Sequence, residues 1–216
     1  MKKGLLLWDI DGTLVQRTAS KAKSIHLRAL GKENTFTSTE LTGLTDWDVL
    51  KNYEEDILVV SKAFAKLDSL QEEEAPTEFS LIHGVDERLF QDLSRFWDHG
   101  ILTGNSLSRA LFKLKAVKIE NYFLTENIFA CTPEDTREKI ALRMVSKVKK
   151  IYSSIVVIGD TENDIKSSQK VNLPVVAVAT GKFSFSQLYA LQPTLTIQDL
   201  DSDRQKFYNF LSSRAM

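Results

Sequence analysis

Ile155-Val156-Val157-Ile158 is an unbroken run of β-branched residues. A strand of this kind is buried on both faces, a situation found mainly in parallel sheets covered by helices on each side. Pro174 to Ala179 reads as another buried strand, stopped by Thr180-Gly181, and Leu5 to Trp8 is an earlier apolar run. From Gly84 onward the chain alternates between strand and helix patterns. Val85 to Phe96 carries Val85, Leu89, Leu93 and Phe96 at helical spacing. Residues 100–105 read as a short strand, and 106–117 as a helix with Leu107, Ala110, Leu111 and Leu114 facing inward. A strand over 128–130 and a helix through Arg137, Ile140, Met144 and Val148 follow, the helix capped by Asp135 or Thr136. After the Ile155 strand come a helix through Ile165, an edge strand over 194–197 and a closing helix over 203–211. Alternation of this kind predicts an α/β fold, a doubly wound parallel sheet with helices on both faces.

One stretch breaks the alternation. After Val15, Ala22, Ile25, Ala29 and Leu30 recur at helical spacing, with Gly31 as the stop. Residues 35–42 are polar and threonine-rich, a loop. Thr45 can cap the next helix, with Asp48 three residues on. Ile57, Val60, Ala63, Phe64 and Leu67 form a further amphipathic stripe, which ends at the acidic run before Pro76. The chain thus divides into an α/β core of residues 1–15 and 82–216 and a small all-helical insert of residues 16–81.

Composition narrows the class of partner. The 216 residues carry a net charge of −1, so no global basic field points to nucleic acid or to an anionic membrane. Met1-Lys2-Lys3 opens like a signal peptide, but the apolar run behind it stops at Asp9, too short for the apolar region such a peptide needs. No stretch is long enough to span a bilayer. The single cysteine, Cys131, rules out an intramolecular disulfide framework and fits a reducing compartment, so a cytoplasmic location is expected. With no histidine beside it, Cys131 reads as a small buried thiol.

In doubly wound sheets, ligands bind outside the carboxyl ends of the strands. Those ends carry Asp9 and Asp11, then Thr103 and Asn105, then Asp160 and Asp164. Packing alone does not require polar residues at every strand end. Asp9 and Asp11 are two apart, so on an extended chain they leave in one direction. Carboxylates so placed repel each other unless one is protonated or a cation sits beside them. Gly12 permits a sharp turn after them. Each motif alone also has a plain structural reading, as an exposed turn or a helix cap. The acids at the end of a second buried strand favour a cation site.

Taken in order, these motifs resemble those of phosphatases of the haloacid dehalogenase superfamily. The likeness covers most of the chain: Asp9-Ile10-Asp11-Gly12-Thr13 after the first strand, Leu102-Thr103-Gly104-Asn105 after the second, and Gly159-Asp160-Thr161-Glu162-Asn163-Asp164 after the Ile155 strand. The insert matches the family's helical cap, and Gly43-Leu44-Thr45-Asp46 resembles a turn in caps of the phosphoglycolate phosphatase-like branch. The resemblance implies that Asp9 is a nucleophile forming an aspartyl-phosphate and that Asp11 is the general acid and base. It implies Mg²⁺ held by Asp9, the backbone carbonyl of Asp11, Asp160 and Asp164, a hard-oxygen set. Thr103, Gly104 and Asn105 would bind the phosphoryl oxygens. The family usually has a lysine as its basic residue. Here Arg137 is the first candidate and Lys139 the second, with Lys113 and Lys115 more remote. An arginine would clamp the phosphoryl group through two hydrogen bonds.

The partner implied is a small phosphorylated metabolite, phosphoglycolate-like or a sugar phosphate, with no nucleic acid or membrane partner and a monomer or dimer as the assembly. Thr45, Asp46 and Trp47 are candidates to contact it, although an aromatic at a helix start is more often packing. His26 reads as cap surface, His83 as loop, and His99 as the turn before the second-motif strand, since they lack metal-ligand spacing. Asp11 argues against dehalogenase chemistry, which protonates no ester oxygen. A phosphosugar mutase and a non-catalytic phosphate-binding or signalling module are the alternatives, the latter disfavoured because Asp11 and Asp160 are both present. A dinucleotide-binding oxidoreductase would need a Gly-x-Gly-x-x-Gly turn after the first strand, and none occurs.

Overall fold

The computed structural model describes residues 4–18, 24–32 and 41–214. Ala22 and most of the loop expected over 35–42 lie outside them. In chain order the elements are β1 (Gly4–Trp8), β2 (Val15–Arg17), α1 (Ile25–Leu30), α2 (Asp46–Tyr53), α3 (Ile57–Glu72), β3 (Phe79–Leu81), α4 (Glu87–Leu93), β4 (Trp97–Ser106) and α5 (Leu107–Ala116). They continue with β5 (Ile128–Cys131), α6 (Arg137–Val148), β6 (Ile155–Gly159), α7 (Glu162–Lys170), β7 (Val175–Val178), α8 (Phe185–Ala190), β8 (Leu195–Ile197) and α9 (Arg204–Ser212).

Six strands form one sheet in the order β5-β4-β1-β6-β7-β8, with every pairing parallel. From β1 the chain builds outward through β4 and β5, then returns and builds the other way through β6, β7 and β8. The reversal lies at β1, so the crevice such sheets use opens at the carboxyl ends of β1 and its neighbours. Alternation of side chains along β1 divides the core in two. Leu6 and Trp8 pack with residues of α4, α5 and α9, such as Phe90, Leu114 and Phe207. Leu5 and Leu7 face the other way, toward Ile140, Met144 and Ile165 of α6 and α7. Helices therefore cover both faces, as the β-branched runs require.

The helical unit is held to this sheet at its base. β2 and β3 pair antiparallel, Val15 with Leu81 and Arg17 with Phe79. Arg17 also reaches Glu74 at 2.8 Å and Glu78 at 2.6 Å. This ribbon was not anticipated, because three-residue strands leave little periodic signal. Thr45 caps α2 by accepting the amide of Asp48 at 3.0 Å, as its position predicts. Val60, Ala63 and Leu67 of α3 are buried, whereas Ile57 is 45% exposed at the helix start. No described helix is long and apolar enough to cross a membrane.

Some boundaries differ from expectation. α4 starts at Glu87, where Asp86 accepts the amide of Leu89 at 2.7 Å, and it stops at Leu93. Phe96 lies beyond it and is exposed. β4 begins at Trp97, so His99 is a buried strand residue that accepts the indole N–H of Trp8 at 3.1 Å. α8 was missed; it is short, and its start is marked only by the Ser184 and Gln187 capping box. The phase of α5 also differs. Leu107 is exposed and Leu111 partly so, while Arg109 and Lys113 turn inward beside Ala110 and Leu114.

Phe90 anchors one half of the core. It stacks on Tyr122 at 4.6 Å between centroids and meets Trp8 and Phe123 edge-on. Phe90→Ala should therefore cost ~3–5 kcal/mol of stability in urea unfolding. Leu58→Ala, at a side chain 69% exposed, should stay within about 0.5 kcal/mol of wild type.

Candidate active site

The site assembles where β1, β4 and β6 end. Asp9 follows β1 directly, its amide bonded to the carbonyl of Ile158 at 2.9 Å, which fixes the end of β1 against β6. Asp160 follows β6, and Asp164 stands four residues further, in the first turn of α7. One carboxylate oxygen from each of Asp9, Asp160 and Asp164 lies within 4.8 Å of the others. All of these side chains are buried. Burial, and then the neighbouring charge of Asp9, push the Asp160 carboxyl well above the ordinary carboxylate range. Burial pushes Asp9 up as well, against the opposing pull of Arg137.

Local structure holds each acid in place. Thr13 donates to Asp160 Oδ1 at 3.0 Å. Asp164 completes a capping box, accepting the Thr161 hydroxyl at 2.6 Å and the Thr161 amide at 3.1 Å. Gly12 takes a φ of +86°, and a Cβ there would lie 2.3 Å from Asp160 Oδ2. A Cβ on Gly181 would fall closer still to the same oxygen. The Asp160 carboxylate therefore sits in a cradle that only glycine leaves open.

Arg137 enters from the first turn of α6. Its Nη2 donates to Asp9 Oδ1 at 2.9 Å and also to Asp164 Oδ1. Of the two basic candidates this is the one the fold delivers. Lys139 instead extends along the outside of α6 to the carbonyl of Glu134 at 2.9 Å and is exposed. Residues two apart on a helix point about 200° from each other, so α6 can aim only one of them at the sheet.

Asp11 points into the same space but stands apart from the three clustered acids. Its carboxylate is 54% exposed to the cavity. Lys113 Nζ donates to both of its oxygens, at 2.7 and 2.6 Å, and Asn105 Nδ2 donates to Oδ2 at 2.7 Å. Burial alone would raise the Asp11 carboxyl, but Lys113 and Asn105 bring it below its ordinary value. Burial lowers Lys113 in turn. The Asn105 amide is thus turned toward Asp11, and it also donates to Thr103 Oγ1 at 3.0 Å. Thr103 is fully buried, while Gly104 and Asn105 line the cavity wall. Sequence reasoning left Lys113 remote. The signal available was the basic pair Arg109 and Lys113, one turn apart, beginning four residues after Asn105.

The helical unit reaches the site through Gly43 to Asp46. Leu44 O would lie 2.7 Å from a Cβ on Gly104, so these two chain segments touch through backbone. Thr45 donates to the carbonyl of Asp135 at 2.9 Å. Asp46 accepts the amide of Ser106 at 2.8 Å, pairs with Arg109, and meets His26 Nε2 at 2.9 Å. Burial opposes ionisation of Asp46, but the Arg109 guanidinium and His26 outweigh it and hold the carboxyl far below the usual range. His26 is therefore a part-buried partner of Asp46 and not the cap-surface residue expected. Trp47 packs edge-on against Phe64 inside the helical unit, 3% exposed, and does not line the cavity. His83 is an exposed loop residue near Asp201, as expected. Burial pushes the Cys131 thiol up to about 12, in line with an inert thiol.

A cavity of about 530 Å³ lies between the two parts. Asp9, Asp11, Arg137 and Asp160 form its floor. His26, Thr42, Val49 and Tyr53 line it from the helical side, Arg17 from the β2–β3 ribbon, and Ile82 and Lys182 from the core side. It is large enough for a small metabolite.

Solved structures of similar shape are numerous. A predicted phosphatase from Clostridium acetobutylicum aligns with a TM-score of 0.76 at 20% identity, covering 97% of this chain and all of that one. A predicted phosphoglycolate phosphatase from Haemophilus somnus aligns at 0.66 and 18% identity, covering 94% and 97%. A β-phosphoglucomutase from Clostridium difficile aligns at 0.66 and 17% identity, covering 99% and 100%. At these identities the likeness speaks to the fold. No curated protein matches the chain. A family model does match, from residue 6 in β1 to residue 178 at the end of β7, a span that holds all the clustered acids and Arg137. The chain belongs to the haloacid dehalogenase-like hydrolases.

Proposed function

We propose that the protein is a Mg²⁺-dependent phosphomonoesterase acting on a small phosphorylated metabolite, with residues 16–81 as a cap over a core of residues 1–15 and 82–216. The observation that carries this reading is the meeting of Asp9, Asp160, Asp164 and Arg137 at the strand crossover, with Asp11 facing the same cavity. Phosphatases among proteins of the same fold, and the lone thiol that suits the cytoplasm, are consistent with it.

The donor set fits a hard divalent cation. Its carboxylates are oxygen donors within reach of one centre, and burial and mutual repulsion disfavour the ionised forms of Asp9 and Asp160. Asp9, Asp160, Asp164 and the backbone carbonyl of Asp11 would hold the ion. When bound, Mg²⁺ supplies charge neutralisation for the phosphoryl oxygens.

The chain's own groups do the rest. Arg137, with the amides at Gly104 and Asn105, holds the anionic phosphoryl group above Asp9 and offsets the repulsion between them. An Asp9 carboxylate oxygen attacks phosphorus. The bond from phosphorus to the ester oxygen breaks, its electron pair leaves with that oxygen, and protonated Asp11 supplies the proton. Water then attacks the phosphorus of the aspartyl-phosphate while Asp11, now a carboxylate, takes a proton from it. The products are the alcohol, inorganic phosphate and regenerated Asp9. Lys113 biases Asp11 toward the carboxylate, the form this second half requires. Asp46, held by the Arg109 guanidinium, the His26 imidazole and the Ser106 amide, is committed to closing the cap over the core. That leaves Thr42, Val49 and Tyr53 as the cap residues that meet the substrate's leaving group.

With 4-nitrophenyl phosphate and Mg²⁺ the protein should release one inorganic phosphate per nitrophenol, which separates hydrolysis from phosphoryl transfer to a second sugar. Chelation by EDTA should abolish the activity and added Mg²⁺ restore it. Asp9→Asn should be inactive while unfolding at the wild-type temperature; full activity would remove Asp9 as nucleophile. Arg137→Ala should lower kcat/KM by about 10²–10³-fold, whereas Lys139→Ala should match wild type.

A further inference from the structure

Lys113 is a buried lysine beside the site whose Nζ has three oxygen acceptors: both oxygens of Asp11 and Asn105 Oδ1, at 2.6 to 2.7 Å. Its ammonium can donate three hydrogen bonds, and all three are used. It does not line the cavity, whereas Asp11 and Asn105 do. It therefore lies behind Asp11 and Asn105 and can reach the chemistry only through them. On the other side, Asn105 Nδ2 closes the grip by donating to Asp11 Oδ2. Everything that touches the Asp11 carboxylate here is a donor. A carboxylate has roughly four acceptor positions. Lys113 takes one on each oxygen and Asn105 a second on Oδ2, which leaves one lone pair, on Oδ1.

We infer that Lys113, with Asn105, is a positioning residue that holds Asp11 as an oriented proton acceptor for the water that hydrolyses the phosphoenzyme. The groups around the grip support a fixed arrangement. Arg109, one turn earlier on α5, is held away by its pairing with Asp46 and by Nε donating to Gln71 at 3.1 Å. Among the described residues Lys113 is thus the one cation hydrogen-bonded to Asp11, and the charge of Arg109 acts on it only from a distance. Side chains placed to within a fraction of an ångström are what general-base catalysis needs, and a displacement of about 1 Å can cost about 10²-fold. An unrestrained aspartate, half exposed in a cavity, would sample several rotamers.

The inference rests on the aspartyl-phosphate reading, and the two fail differently. The probe is 4-nitrophenyl phosphate, whose acidic phenol leaves with little need of a proton, so phosphorylation of Asp9 is spared. In Lys113→Met, dephosphorylation becomes limiting. We expect kcat to fall at least about 10-fold, with KM falling in parallel and kcat/KM nearly unchanged. Rapid mixing should show a burst of one nitrophenol per enzyme, and acid-quenched protein should carry labelled phosphate. Asn105→Ala, which removes the second arm, should show the same split at smaller size, and it serves as the test if Lys113→Met does not fold. A merely structural role would lower kcat and kcat/KM together without a burst, and that result overturns the inference, as would wild-type kinetics in both variants. In either of those cases labelled wild-type protein, absent from Asp9→Asn, leaves the phosphoenzyme reading standing. If no variant, Asp11→Asn included, ever carries labelled phosphate, that reading fails and the inference falls with it.

Discussion

Carboxylates buried with oxygens within 4.8 Å of one another are the costliest feature of this molecule. Burial removes the water that would stabilise them, and each raises the energy of the next. Asp9, Asp160 and Asp164 are tolerated because Arg137 bridges Asp9 and Asp164 while Thr13 donates to one oxygen of Asp160 and Thr161 to the second oxygen of Asp164. That arrangement explains much of the surrounding design. α6 must begin close enough to the end of β1 for Arg137 to reach. α7 must begin directly after β6 so that Asp164 can serve its N-terminus, where negative charge is favoured. Gly12 and Gly181 must lack side chains so that Asp160 has room. The charge cluster is thus a constraint on backbone placement as much as a chemical device.

A second group of buried charges joins the helical unit to the sheet. Arg109 arises on α5 and its carboxylate partner, Asp46, on α2. Asp46 also takes the amide of Ser106, at the N-terminus of α5, so one carboxylate answers both a helix end and a guanidinium. Ser106 Oγ reaches Asp68 of α3 at 2.6 Å, and Arg109 reaches Gln71 of the same helix. Removing either side would strand buried charge on the other, a far larger penalty than losing an exposed pair. The two parts of the chain are therefore electrostatically complementary at their contact as well as apolar.

Much of this was legible in the residues. The apolar runs placed β1, β6 and β7, and the acids at the ends of β1 and β6 marked the site, because a strand buried on both faces has little freedom in sequence. Arg137 could be preferred over Lys139 from its place in the first turn. What could not be read depended on long-range contact. The inward turn of Lys113 and Arg109 runs against hydrophobic periodicity: their burial is stabilised by Asp11 and Asp46, which lie 102 and 63 residues away. His26 was misplaced for the same reason, since its partner is Asp46. The β2–β3 ribbon and α8 were too short to leave a period, and the inclusion of His99 in β4 needed knowledge of Trp8 beside it.

The β2–β3 ribbon has an architectural consequence. The chain leaves the sheet and returns to it through two paired strands, braced by Arg17 against Glu74 and Glu78 and by the Thr18 amide on the carbonyl of Glu78. The sheet therefore meets the whole excursion as a stub two strands wide, whatever lies beyond. Closing a longer excursion onto that stub adds only slowly to the entropic cost, about 0.6 kcal/mol for each doubling of length. Such a joint leaves the length and content of the excursion free to differ while the charge cluster beneath stays untouched.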